Sequence, residues 1–112
     1  MDNFKINKIA SKIKQELYSI IKFGSILHPD LEKYMFSIFE IKLAKDLSFA
    51  KCFIMSYDEK NINKVIKLLN NIAPLIKHEL AKKIQLRKVP NFLFVDSKYA
   101  PENLRYQDEY GL

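Results

Sequence analysis

The spacing of apolar residues changes period along this chain, and that change limits the folds open to it. Over residues 4–23, Ile6, Ile9, Ile13, Leu17, Ile20 and Ile21 recur at three- and four-residue steps, which places them on one stripe of a helix. Lys8, Lys12, Gln15, Ser19 and Lys22 fall on the other side, Gly24 follows as a C-cap, and His28-Pro29-Asp30 marks a loop. Segments 34–43 and 49–57 are instead rich in aromatic and branched residues, as strands are. Their alternation is imperfect and is clearest where Ile41 and Leu43 flank Lys42. The linker 44–48 is short enough for a hairpin, so the two strands are expected to pair antiparallel, with Asp46-Leu47 holding the turn.

Helical spacing then returns. Asp58 is placed to cap a helix over 59–72 that carries Ile62, Val65, Ile66 and Leu69 on one face. The triplet Ile72-Ala73-Pro74 interrupts it, because proline disfavours helical angles in the residue before it and fits the first turn of a new helix. A third helix over 75–86 is expected to bury Leu75, Ile76, Leu80 and Ile84 and to present Lys77, His78, Lys82 and Gln85. A last strand follows over 91–96, with Phe92, Phe94 and Val95. The order α-β-β-α-α-β leaves three apolar helix stripes to be buried, and one face of a three-stranded sheet is the surface available. With the first two strands antiparallel, the third must be parallel to one of them, so the sheet is mixed. The expectation is an α+β fold in one domain over 1–96, with a loosely ordered tail over 97–112 that has no clear period.

At 112 residues and 48% hydrophobic, the chain can form one modest core without staples. Its formal charge of +6 is unevenly placed. Residues 1–95 hold 17 Lys+Arg against 9 Asp+Glu, a balance of +8, whereas 96–112 hold 2 against 4, a balance of −2. A basic body suits a polyanionic partner, through attraction to phosphates and release of their counterions. The single cysteine, Cys52, has no intramolecular partner and reads as a small core residue. No apolar run is long enough to cross a bilayer, and the N-terminus alternates Lys with Ile, unlike a secretory signal. These features point to a reduced, cytoplasmic protein with no membrane partner.

No enzyme constellation emerges. His28 and His78 are the only histidines and read as solvated surface residues, one cysteine cannot build a zinc site, and two glycines leave no phosphate-binding loop. Neither metal nor cofactor is expected. The informative element is the helix–break–helix followed by a basic lead-in. RNA-binding KH modules clamp the sugar–phosphate backbone with two helices and a Gly-rich turn. Here the break is Ile72-Ala73-Pro74, without glycine, and Pro74 removes one N–H that could have faced a phosphate. Lys77, Lys82, Lys83, Arg87 and Lys88 follow it closely, and Lys77, Lys82 and Arg87 avoid the apolar stripe.

Two stretches carry a family resemblance. Residues 44–51, Ala-Lys-Asp-Leu-Ser-Phe-Ala-Lys, and residues 75–92, from Leu75 through Leu86-Arg87-Lys88-Val89-Pro90 to Phe92, are similar to segments of ribosome-binding factor A. The opening helix, with Ile9, Lys14, Glu16 and Leu17, agrees with them, so the resemblance spans about residues 4–98. It implies a type II KH-like fold and a non-catalytic assembly factor. Such a factor binds 16S rRNA on free 30S subunits or their precursors, assists late rRNA maturation, matters most in the cold, and acts as a monomer. The family's kink between the central helices is Ala-x-Gly, which Ile72-Ala73-Pro74 replaces here, and Gln85 stands where the family has its first basic residue of a pair. The candidate phosphate-contacting cations are Lys45 and Lys51 around the hairpin and Lys77, Lys82, Arg87 and Lys88 after the break. The main alternative is a protein-binding adaptor that uses an exposed sheet edge. A small nuclease is a second.

Overall fold

The computed structural model describes residues 3–23 and 29–101. Gly24, His28 and residues 102–112 of the C-terminal segment lie outside the described residues. The elements are α1 (Asn3–Phe23), β1 (Phe36–Leu43), β2 (Phe49–Ser56), α2 (Ile62–Asn71), α3 (Ala73–Lys83) and β3 (Asn91–Asp96), in the order that the periodicities predict. Short 3-10 turns occupy Pro29–Lys33, Glu59–Asn61 and Ser97–Tyr99. β2 is the central strand, antiparallel to β1 and parallel to β3. The parallel pair requires a crossover, and α2 and α3 provide it.

All three helices cover the same face of the sheet. Ile6, Ala10, Ile13, Leu17 and Ile20 of α1 are buried, and α1 packs on β1 and α3. Val65 and Leu69 of α2 and Ala73, Ile76 and Leu80 of α3 bury their stripes toward β2 and β3. The sheet contributes Ile38, Ile41 and Leu43 from β1, Ala50, Cys52 and Ile54 from β2, and Phe92 and Phe94 from β3. Burying each of the larger side chains stabilises the fold by about 1.5–3 kcal/mol. Cys52 is a core residue at 0% exposure, and burial pushes its thiol well above the ordinary cysteine range.

The strand patterns are imperfect for physical reasons. In β1 the register shifts between Ile38 and Glu40, so Phe39 is the extra residue of a bulge. That insertion lets Ile38 and Ile41, three positions apart, both face the helices. In β2, Phe53 points away from the helices yet is only 2% exposed. The Ser97–Tyr99 turn folds back against β2, and Ala100 beyond it is buried as well.

Three expectations about the helices need correction. Asp58 does cap, accepting from the Lys60 N–H, but it starts a 3-10 turn that leads into α2. Leu75 is 48% exposed instead of buried. α3 begins at Ala73, and its inward stripe runs through Ala73, Ile76 and Leu80; Leu75 sits about 100° of helical rotation from Ile76 and faces outward. The helix stops at Lys83, and Ile84 is buried in extended conformation beyond its end.

The outer edges of the sheet receive side chains from the helices. Phe94 in β3 directs its backbone away from β2, and Asn70 of α2 answers both groups. Its amide donates to the Phe94 carbonyl at 2.9 Å, and its oxygen accepts from the Phe94 N–H at 2.9 Å. On the other edge, Lys14 of α1 donates to the carbonyl of Phe39 at 2.9 Å. Helix side chains thus occupy part of what a free strand edge would offer to another chain.

Candidate nucleic-acid interface

The cations expected to meet a polyanion are placed by three neighbouring pieces of chain. The first is the hairpin between β1 and β2. The Leu47 N–H donates to the Ala44 carbonyl at 2.9 Å and the Ala44 N–H donates to the Phe49 carbonyl at 2.9 Å, closing a tight turn. Leu47 closes it with φ of 62°, a left-handed conformation that a branched side chain disfavours. The residue is nonetheless leucine because its side chain is only 7% exposed and joins the core. Asp46 ties down the following step, accepting from the Ser48 N–H at 3.0 Å and the Ser48 hydroxyl at 2.6 Å. Those hydrogen bonds, with a smaller contribution from the charge of Lys88, hold its carboxyl below the usual aspartate range. Lys45, next to it, is exposed.

The second piece is the lead-in to β3. Arg87 and Lys88 are exposed on a bend, whereas Pro90 behind them is buried. Parallel pairing brings this segment to the hairpin: the Asn91 N–H donates to the Ser48 carbonyl at 3.1 Å, and Phe49 stands opposite Asn91. The third piece is α3, where Lys77 donates from Nζ to Asn91 Oδ1 at 2.8 Å. Lys45, Lys77 and Lys88, with Arg87 beside the last, therefore gather at one end of the sheet around Ser48 and Asn91. Lys51 lies two residues into β2, on the sheet face opposite the helices.

Lys82 is less directly engaged. It sits in the last turn of α3, 3.1 Å from Glu79 Oε1, and a phosphate would have to compete with that exposed ion pair. The break between α2 and α3 is a single residue, Ile72, with φ of −100° and ψ of 6°. Its N–H donates to Leu68 O at 3.2 Å and its carbonyl accepts from the Ile76 N–H at 3.0 Å, so it closes one helix and opens the next. Ile72 and Ala73 are buried in the core, and Pro74 alone of the three is exposed. His78 is exposed on α3.

Two features were not singled out from the sequence. Lys42 stands directly across from Lys51 in the β1–β2 pairing. Its flanking residues Ile41 and Leu43 signalled that it points outward, but its neighbour depends on the hairpin register, which follows from how the turn closes. A groove also runs beside α1, lined by Lys8, Lys12, Lys14 and Lys83 over Ile9 and Ile84. Among the described residues, no group of three His, Cys, Asp or Glu side chains is placed to hold a metal ion, and no helix is long and apolar enough to cross a membrane.

A three-stranded mixed sheet with three helices on one face and a cluster of cations at one end defines an α+β module of the KH-like kind. The family model for ribosome-binding factor A matches residues 5–108. The chain belongs to the ribosome-binding factor A family. It is 38% identical over 97 residues to the ribosome-binding factor A of a Prochlorococcus marinus strain, covering 85% of this chain and 72% of that protein. It is 33% identical over 94 residues to that of Borreliella burgdorferi, covering 83% of this chain and 78% of that one. Among solved structures, ribosome-binding factor A from Thermus thermophilus superposes with a TM-score of 0.73 at 18% identity, covering 86% of this chain and 99% of the other. A Thermus thermophilus ribosome-binding factor A homology model fitted into the cryo-EM map of a 30S complex superposes with a TM-score of 0.64 at 17% identity, covering 83% and 96%.

Proposed function

We propose that this protein binds the small ribosomal subunit, through the phosphates of 16S rRNA, and assists its maturation without catalysing a reaction. The observation that carries this reading is the gathering of Lys45, Lys77, Arg87 and Lys88 at the hairpin end of the sheet, in a chain of the ribosome-binding factor A family. The relative fitted into a 30S complex supports the same partner. Lys51 and Lys82 extend the contact along β2 and α3. The RNA-binding unit is the domain over 1–96, and it acts as a monomer in the cytoplasm on free 30S subunits or their precursors. Its part comes in late rRNA processing and weighs most in the cold. Cations of this kind position a protein on RNA without reading sequence, so RNA shape supplies the specificity. The break at Ile72-Ala73-Pro74 serves mainly to aim α3, since two of its residues are buried in the core.

The adaptor reading is less favoured, because Asn70 and Lys14 already hydrogen-bond the outer edges of β3 and β1. Co-sedimentation with small subunits, large subunits and intact ribosomes at two salt concentrations tests the proposal. If the six cations each hold one phosphate, affinity falls about a thousandfold between roughly 50 and 200 mM salt. Arg87→Glu together with Lys88→Glu should abolish most small-subunit binding while leaving the unfolding transition in place. Unchanged binding of that variant would remove these residues from the site, and salt-independent binding would favour the adaptor.

A further inference from the structure

The face of the sheet turned away from the helices is covered at Phe53, where the Ser97–Tyr99 turn packs against β2, but is open toward the hairpin end, and its chemistry there is mixed in an informative way. Along β2 the outward positions are Phe49, Lys51, Phe53 and Met55, and β3 places Leu93 beside Lys51. Phe49 is 38% exposed, Leu93 37% and Met55 43%, so uncovered apolar surface adjoins the lysine at Phe49 along β2 and at Leu93 on β3. Lys42 of β1 faces Lys51 directly. Like charges opposite one another on adjacent strands cost stability. Neither lysine has a hydrogen-bonding or ion-pairing partner among the described residues. Two facing, unneutralised cations flanked by an exposed ring are what a strand of bases and phosphates would complete. Aromatic faces stack bases of any identity, and neighbouring lysines hold the backbone.

We infer that this open sheet face, centred on Phe49, Lys42 and Lys51, binds a segment of single-stranded RNA. The inference rests on the ribosomal RNA reading above and adds to it a second mode of contact. The hairpin cluster grips phosphates, whereas the sheet face takes unpaired bases, with Phe49 stacking and the lysine pair bound to the intervening phosphate. The two surfaces are continuous, since Phe49 pairs with Asn91 and Asn91 meets Ser48. A protein partner would have little use for two facing lysines in the middle of its apolar contact, and that favours RNA.

The test is titration of a labelled oligouridine of about eight nucleotides, run beside small-subunit co-sedimentation. Phe49→Ala should bind the oligonucleotide about five- to tenfold more weakly with an unchanged salt slope, the low end expected for a partly exposed ring. Lys42→Ala combined with Lys51→Ala should reduce that slope by about 0.7, the share of the one phosphate that the pair holds. Amide shifts induced by oligouridine should centre on Phe49, Lys51 and Leu93, a readout that needs no variant. If the variants bind oligouridine as the parent does, the inference is overturned even where the parent still co-sediments with small subunits. Loss of co-sedimentation by the parent would instead strike the subunit reading. If deleting 102–112 shifts the same amides while oligouridine moves none, the face belongs to the chain's own acidic end and the inference is overturned.

Discussion

Asn70 makes two backbone hydrogen bonds to Phe94 at 2.9 Å, and removing them should cost more than their exposure suggests. β3 is an edge strand, so the outward N–H and carbonyl of Phe94 have no neighbouring strand to pair with. Asn70→Ala leaves both without their side-chain partner under the C-terminal end of α2. A fully buried orphan costs about 1–3 kcal/mol, and these part-buried groups should fall at the low end, near 1 kcal/mol each. Alanine returns up to about 0.7 kcal/mol through its better helix propensity. The expected loss is therefore about 1–2 kcal/mol. Urea unfolding should show the midpoint falling by about 1 M with an unchanged slope, since slopes for small domains are about 1–3 kcal/mol per M. Hydrogen exchange supplies the local check, with the Phe94 amide losing protection beyond the global change. Asn70→Asp should be no milder, because it keeps the acceptor but sets a second oxygen against the Phe94 carbonyl. A variant within about 0.3 kcal/mol of the parent, with Phe94 protection unchanged, would refute the view that Asn70 seals this edge.

Two further outcomes follow from the hairpin. Leu47 sits at φ of 62° with its side chain buried, so Leu47→Gly and Leu47→Ala should both destabilise, the alanine variant by about 1 kcal/mol more. Alanine keeps the left-handed cost and loses the burial; an alanine variant as stable as the glycine one would sink this account. Asp46 has its folded-state pKa lowered, chiefly by Ser48, so its contribution to stability is present above the ordinary aspartate value of about 3.9 and is lost as pH falls through the lower folded value. An NMR titration should place its midpoint below that value in the parent and closer to it in Ser48→Ala; equal midpoints would show that Ser48 is not the cause.

Local information reaches a long way in this chain. The stripe from Ile6 to Ile20 sets the inward face of α1, and the aromatic and branched runs locate all three strands. The short 44–48 linker implies the antiparallel pair, and Pro74 marks the point where one helix gives way to the next. These features act within a few residues, through side-chain period, backbone angle and turn length, so they can be read in order along the chain. What escapes is whatever depends on how an element is turned about its own axis. Leu75 and Ile76 are both apolar and adjacent, so either could lead the inward stripe of α3. Packing against the sheet selects the rotation that buries Ala73, Ile76 and Leu80, and Leu75 is then about 100° from Ile76 and farther round from the other two.

The candidate interface was legible as a set of residues and illegible as an arrangement. Lys45, Lys77, Arg87 and Lys88 stand out by charge and by their place after the hairpin and the break, but only the parallel pairing of β3 with β2 sets the lead-in beside the hairpin. That pairing joins segments far apart in the chain, with α2 and α3 between them. The facing of Lys42 and Lys51 depends likewise on register, which the turn at Leu47 sets as far as the bulge at Phe39. By itself the sequence determined the elements, the apolar faces and the family resemblance, because each is written in neighbouring residues. Tertiary structure alone decided which cations share a surface and which sheet face stays open, because packing three helices on one side of a twisted, bulged sheet fixes distances that no local pattern encodes.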